Sequence, residues 1–248
     1  MQQGVYSNET SGLANRINDL AFWVARHWLA AFSVLYGALV LAPFTAPLFM
    51  HIGATGPADA VYFIYSFLCH QLPERSLFIF GDRIMYSYAE IKAVWPLDGF
   101  IGLRQFIGNP EMGYKVAWSD RMISTYGGVW LGGLLYALLR SRSPRISWLA
   151  FILIGVLPIG LDGVSHMLND AIAGTTGLGF RDTNAWLQSL TFNVFPSSFY
   201  VGDALGSFNS WMRWVTGFLF SITAVFAVFP MIDRSMQDVS AHGEHRPA

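Results

Sequence analysis

The side chains best suited to chemistry in this chain stand near the ends of long uncharged segments. Cys69 and His70 are adjacent, and Asp162 and His166 are four positions apart. Thiolate, imidazole and carboxylate groups are the ligands that zinc takes in proteins, and positions i and i+4 share one face of a helix. Together these four residues form a candidate site for a divalent metal such as zinc.

Both pairs also have a simpler explanation. Adjacent side chains on a helix point about 100° apart, so Cys69 and His70 rarely face one ion, and Pro73 predicts a helix end just after them. Asp162 and His166 can equally form a salt bridge or a hydrogen bond at a helix end. The residues alone leave these alternatives open.

Further charged residues stand beside the same segments. Ionisable groups at membrane depth are costly, so by default they suggest a functional site. A network of ion pairs that joins helix ends would also bring opposite charges together. We predict such a polar network, with Cys69 and His70 at its edge, made of Glu74, Arg75, Asp120, Arg121, Asp162 and Arg213.

Segments without Asp, Glu, Lys or Arg set the class of the molecule. They cover residues 28–58, 122–139, 146–161 and 214–232. A helix needs about 20 apolar residues to cross a hydrocarbon core of roughly 30 Å, and lipid leaves its backbone no partners outside the helix. The chain is therefore predicted to be an all-α, multi-pass transmembrane bundle with short interfacial helices in its outer loops.

A weaker apolar segment, residues 58–80, decides between four and five spans, because polar residues interrupt it. Five spans, which we favour, put the N-terminus outside, whereas a re-entrant segment gives four spans and an internal N-terminus. Arg140, Arg142 and Arg145 fill a short loop, and such loops stay in the cytoplasm. The residues of the polar network then all fall on the outer face.

The domain organisation follows from the same pattern. We predict a polar N-terminal tail (1–27), a single transmembrane domain (28–232) with an outer-loop insertion (82–117), and a disordered C-terminal tail (233–248). Asp98 is placed in an exposed part of the insertion. Within the third span Gly128 and Gly132 form a GxxxG pattern, which favours close approach of another helix, most simply one of the same chain.

Composition limits the partners. Hydrophobic residues make up 53% of the chain and charged residues 12%, whereas soluble domains carry about 25% charged residues. The net charge of −1 creates no field that attracts nucleic acid. The expected partners are the lipid bilayer and other subunits of a membrane complex. The first residues lack the pattern of a cleaved signal peptide.

The run FLCHQLPERSLFIFG, Phe67–Gly81, resembles the CHQxPxRS signature of an uncharacterised family of prokaryotic membrane proteins, domain of unknown function 2085. Segments 121–128, 158–163 and 209–217 resemble later motifs of that family, in the same order. The likeness covers about residues 60–230. It implies a membrane bundle in a prokaryotic cytoplasmic membrane, and it implies no activity.

The chain departs from the family at two positions. Ser119 stands where the family has a cysteine before Arg121, and His166 stands where the family more usually has Gln. A metal or redox site built on the family's cysteines would be incomplete here.

Three classes of function stay open. A binding or accessory protein, such as a subunit of a membrane complex, is favoured, because no nucleophile motif is present. A membrane-embedded metal-dependent enzyme or redox protein would use Cys69, His70, Asp162 and His166. A small transporter would use the broken segment at 70–75, although no internal repeat supports one. Haem or pigment ligation by His27 or His166 is a further alternative.

Overall fold

The computed structural model describes residues 3–97, 99–174 and 177–244; Asp98 is outside the described residues. In this part the chain forms, in order, helices α1 (Gln3–Leu41), α2 (Thr45–His51), α3 (Thr55–Tyr65), α4 (Tyr88–Val94), α5 (Gly99–Arg104), α6 (Asp120–Met122), α7 (Gly128–Leu139), α8 (Trp148–Ala150), α9 (Leu157–Ala173), α10 (Phe180–Thr183), α11 (Ala185–Leu190), α12 (Ser197–Tyr200) and α13 (Phe208–Glu244). The strands are β1 (Ser76–Ile79), β2 (Gly108–Asn109) and β3 (Gly113–Ser119).

Four continuous helical segments in the described ranges are long and apolar enough to cross a membrane. They are Arg16–His51, Asp120–Arg142, Trp148–Ala173 and Phe208–Ala241. One turn of π-helix joins α6 to α7 and another joins α8 to α9, so each pair forms one long helix. The prediction of an all-α, multi-pass bundle is confirmed.

The second apolar segment forms no helix of spanning length. Helix α3 has 11 residues, which is about 16 Å at 1.5 Å per residue and only half of the hydrocarbon core. The chain then adopts a left-handed conformation at Gln71 (φ 54°). It continues through a 3-10 turn, Pro73–Arg75, into β1. Proline offers no N–H and a left-handed residue does not fit an α-helix, so no helix resumes between Tyr65 and β1.

The direction of the helices agrees with the four-span alternative rather than the favoured five. Trp28 Nε1, at the start of the first apolar run, donates a 3.0 Å hydrogen bond to Asp233 Oδ1. Arg140 Nε, just beyond α7, donates to Oδ2 of the same carboxylate at 3.0 Å. The start of the first span and the arginine loop therefore lie at one end of the bundle. The chain between them therefore returns to the end of the bundle at which it began.

The glycines of α7 lie against α13. A Cβ built on Gly128 would lie 2.7 Å from Ser221 Cβ, and one built on Gly132 would lie 3.1 Å from Val225 Cγ2. No larger side chain fits at the first position without movement of the helices. The GxxxG pattern thus marks a close crossing within the chain, as predicted.

A small antiparallel sheet, in the order β1-β3-β2, lies at the other end of the bundle, which we call the sheet end. These strands were not predicted from the sequence. The sheet is held by its buried residues: Val116, Ala117 and Trp118 of β3 pack with Tyr62 and Tyr65 of α3. Because β3 ends one residue before α6 begins, the sheet sets the position of the first residues of α6.

The C-terminal segment differs from the prediction of disorder from residue 233. Helix α13 continues to Glu244, while residues 245–248 are outside the described part. Asp233 anchors this extension, because it accepts hydrogen bonds from Trp28, Arg140 and Gln237. At the other terminus, α1 begins at Gln3, within the segment predicted as a polar tail.

Candidate binding site at the sheet end

A buried ion pair joins the starts of two spans. Asp120 is the first residue of α6 and Arg213 lies near the start of α13. The Arg213 Nε lies 2.7 Å from Asp120 Oδ1, and the two side chains are 2% and 0% exposed. Asp203, in the loop before α13, accepts from Arg213 through its carboxylate and through its backbone oxygen at 2.6 Å.

Arg75 extends this chain of charges from the 3-10 turn after Pro73. Its Nε lies 3.0 Å from Asp203 Oδ2, and its two terminal nitrogens each lie 3.2 Å from the carboxylate of Asp170 in α9. Burial favours the neutral form of Asp203, but the guanidinium groups of Arg75 and Arg213 hold its pKa below the usual range. Negative and positive groups therefore alternate along one chain of contacts, in the order Asp170, Arg75, Asp203, Arg213 and Asp120.

A second group of charges surrounds Asp162. One carboxylate oxygen lies 2.6 Å from Arg121 Nη2, and the other lies 2.6 Å from Arg181 Nη2. Arg181 Nη2 also lies 3.0 Å from His166 Nε2. Arg121 and Asp162, which both belong to the predicted network, are thus in contact. Arg181 stands between the aspartate and the histidine.

Glu74 lies beside this network without an ion pair in the described part of the chain. It is buried, and its Oε2 has no hydrogen-bond partner. Burial raises its pKa to about 7, which the nearby Arg75 only partly offsets. Lys115 of β3 is also buried and donates to the backbone oxygens of Gln71 and Arg104. Burial lowers the pKa of Lys115 to about 7.

Three of the eight charged residues of the network were not predicted from the sequence. Asp170, Arg181 and Asp203 all lie in or beside the segment between the third and fourth spans. Asn184, in a left-handed conformation (φ 42°), bonds to the backbone oxygens of Arg181 and Tyr200 and fixes that segment. Opposite charges then balance one to one: Arg75, Arg121, Arg181 and Arg213 against Asp120, Asp162, Asp170 and Asp203.

The four predicted zinc ligands are not brought together. Cys69 Sγ accepts hydrogen bonds from the backbone N–H groups of Gln71 and Ser119, each at 3.3 Å. The exposed His70 ring packs edge-on against Phe100, with centroids 4.9 Å apart.

The cation Arg181 lies where a metal would have to bind between Asp162 and His166. No group of three His, Cys, Asp or Glu residues that could hold a metal occurs in the described ranges.

A recess of about 270 Å³ opens in front of the arginines. Its wall includes Cys69, His70, Arg75, Ser119, Arg121 and Arg213. Cys69 and His70 thus lie at the edge of the network, as predicted. No carboxylate of the described residues lines this recess.

A second recess, of about 450 Å³, shares Arg75 with the first and is acidic. Glu74, Asp170, Asp182 and Asp203 line it. Arg75 therefore separates a wall of hydrogen-bond donors from a wall of carboxylates.

One curated protein resembles this chain. An uncharacterised protein of Methanocaldococcus jannaschii is 23% identical over 209 residues, which cover 82% of this chain and 88% of that protein. No family model matches the chain, and no solved structure matches it. The resemblance to domain of unknown function 2085 stays a prediction.

Proposed function

We propose that this chain is an integral membrane protein that binds a small ligand in the first recess, alone or as a subunit of a membrane complex. The observation that carries the proposal is the support behind the recess wall. Arg75 and Arg213 are each held by two aspartates, and Arg121 by one. Side chains fixed in this way are preorganised, so a ligand would not have to order them.

Binding is favoured over catalysis by the groups around the recess. Cys69 is the thiol of the chain, but its sulfur accepts from two backbone amides, and within the described residues it makes no hydrogen bond to an imidazole. An activated nucleophile needs a base within hydrogen-bond reach. A transporter is less favoured, because the break at 70–75 lies beside the sheet, at the end of the bundle, whereas transporter sites lie near the midplane.

The recess is proposed to face the outside of a prokaryotic cytoplasmic membrane. The support is the short loop with Arg140, Arg142 and Arg145 at the opposite end, since such loops remain in the cytoplasm. The four long apolar helices fit such a membrane. The resemblance to domain of unknown function 2085 supports a prokaryotic source.

Blocking the recess tests this proposal. Ser66 lines the recess and is half-buried, so Ser66→Trp would fill it. Ile64→Trp is the matched control, because Ile64, two residues earlier in α3, is 59% exposed. Native mass spectrometry of protein extracted from its own membranes should show a small molecule bound to the wild type and to Ile64→Trp, and none bound to Ser66→Trp. An equal bound mass in all three proteins, or none in any, would contradict a binding function for the recess.

A further inference from the structure

The wall of the first recess presents hydrogen-bond donors without their counter-ions. Arg75, Arg121 and Arg213 line it, while the aspartates that pair with them do not. The carboxylates therefore lie behind the arginines, whose side chains face the recess. A ligand that accepts hydrogen bonds and carries negative charge suits such a wall.

Of the three arginines that line the recess, Arg121 has the most N–H donors left to bind a ligand. A guanidinium has five N–H donors. In both Arg75 and Arg213 all three nitrogens bond to aspartates. Arg121 makes a single side-chain bond, from Nη2 to Asp162. Its Nε is buried and has no hydrogen-bond partner.

A buried donor without a partner costs free energy comparable to a lost hydrogen bond. Arg121 could recover this cost by binding an acceptor. A Cβ built on Gly163 would lie only 3.1 Å from Arg121 Nη1, so the glycine leaves this nitrogen uncrowded on the side of α9. A larger residue at 163 would crowd this nitrogen.

One side of the recess is apolar and exposed. Phe67 and Leu68, which line it with Met122, are 75% and 44% exposed. In a membrane these side chains would contact lipid, so the recess would open on the boundary between acyl chains and water. A ligand with an anionic head and an apolar tail therefore fits as well as a small anion.

We propose that the recess binds a phosphate group, carried by a lipid or free in solution, and that Arg121 is its principal contact. This inference rests on the proposed binding function and names its ligand class. Arginine suits the role because its planar fork matches two phosphate oxygens, which a lysine ammonium cannot do.

The experiment uses the full chain in a maltoside detergent, which contains no phosphate. Inorganic phosphate and dihexanoyl phosphatidic acid are titrated separately and followed by ³¹P NMR line broadening. We expect wild-type protein to bind at least one of them. Arg121→Gln should weaken binding about 10- to 100-fold, the cost of a lost charge-assisted hydrogen bond.

Two variants make the outcome interpretable. Arg83→Gln removes the same charge from an exposed residue that pairs with Glu90 and should bind as the wild type does. Arg121→Lys keeps the charge next to Asp162 and therefore the fold, but it should bind more weakly than the wild type. Binding of phosphatidic acid alone identifies a lipid, and binding of inorganic phosphate identifies a soluble ligand.

Two results would overturn the inference. One is no binding of either probe by folded wild-type protein. The other is equal binding by wild type and Arg121→Gln, which would place the phosphate elsewhere. If native mass spectrometry still shows a molecule that Ser66→Trp loses, the binding function stands and only the phosphate assignment fails.

Discussion

Arg213 Nε lies 2.7 Å from Asp120 Oδ1, although the two residues are 93 positions apart in the chain. The pair joins the starts of two long helices and is almost completely excluded from solvent. Burying both charges costs free energy, so the intact pair adds little to the stability of the fold. Separating the two charges, however, would leave each one buried without a partner and would be strongly destabilising. Each helix start is therefore fixed by the presence of the other.

Asp120→Ala should lower the free energy of unfolding by about 3–5 kcal/mol, because it leaves Arg213 with an incomplete set of partners in a buried site. Asp203 still contacts Arg213, which favours the lower end of that range. Asp82→Ala is the control, since Asp82 is exposed. Denaturant unfolding in mixed micelles measures both variants. Equal loss, or no loss, would show that the pair does not stabilise the bundle.

Asp162→Ala should be more harmful than Arg121→Gln. The aspartate has two guanidinium partners, Arg121 and Arg181, each 2.6 Å away. Its removal leaves two cations without a counter-ion, whereas removal of Arg121 leaves Asp162 paired with Arg181. Thermal melting in detergent should rank the proteins wild type, Arg121→Gln, Asp162→Ala in falling order. The reverse order for the two variants would contradict a shared carboxylate.

Gly128→Leu should destabilise the protein by about 1–3 kcal/mol or more, because overpacking forces the helices apart. A Cβ at this position would already lie 2.7 Å from Ser221 Cβ. Gly160→Leu is a matched control, since a Cβ at Gly160 would meet no atom within 4 Å. If both variants melt alike, α7 does not cross α13 at this glycine.

Glu74 should make stability depend on pH in a defined direction. Its pKa rises from 4.5 to about 7 because the carboxyl is buried. The native state therefore keeps a proton that the unfolded state has released, and the stability this gives is lost as pH rises from 4.5 towards 7. One pKa unit corresponds to about 1.4 kcal/mol, so the loss across the interval is about 3 kcal/mol.

Glu74→Gln isolates this effect, because glutamine resembles the protonated acid and does not titrate. Unfolding in detergent between pH 5 and 6.5 should show wild-type stability falling as pH rises and a smaller slope for Glu74→Gln. Lys115 is present in both proteins, and with a pKa near 7 it remains mostly charged over this range. If the unfolding free energy of both proteins changed equally with pH, Glu74 would not keep its proton in the folded state.

The sequence predicts those residues of the site that stand next to the ends of the long apolar segments. Arg121 and Asp162 stand where apolar runs begin or end, and the short arginine loop puts those ends on one face. Their 2.6 Å contact places both residues at one end of the bundle. Arg75 and Arg213 were predicted for the same reason, although their partner Asp203 was not.

The missing residues depend on tertiary structure rather than on local pattern. Arg181 and Asp203 come from a segment with no helical periodicity, and their positions depend on side-chain bonds such as those of Asn184. The strand β3 is buried on both faces along most of its length, so it lacks the alternation that marks a half-buried strand. The fifth span was predicted from hydropathy, which does not reveal that α3 would end at Tyr65.

The central claim is that the sheet end, with its network and recess, faces the outside of the cell. In a Cys69→Ser background, Ser198→Cys would report the sheet end and Ser141→Cys the arginine loop; both positions are exposed. A membrane-impermeant maleimide applied to intact cells should label Ser198→Cys at once and Ser141→Cys only after permeabilisation. Labelling of Ser141→Cys in intact cells, with Ser198→Cys protected, would contradict an outward-facing binding site.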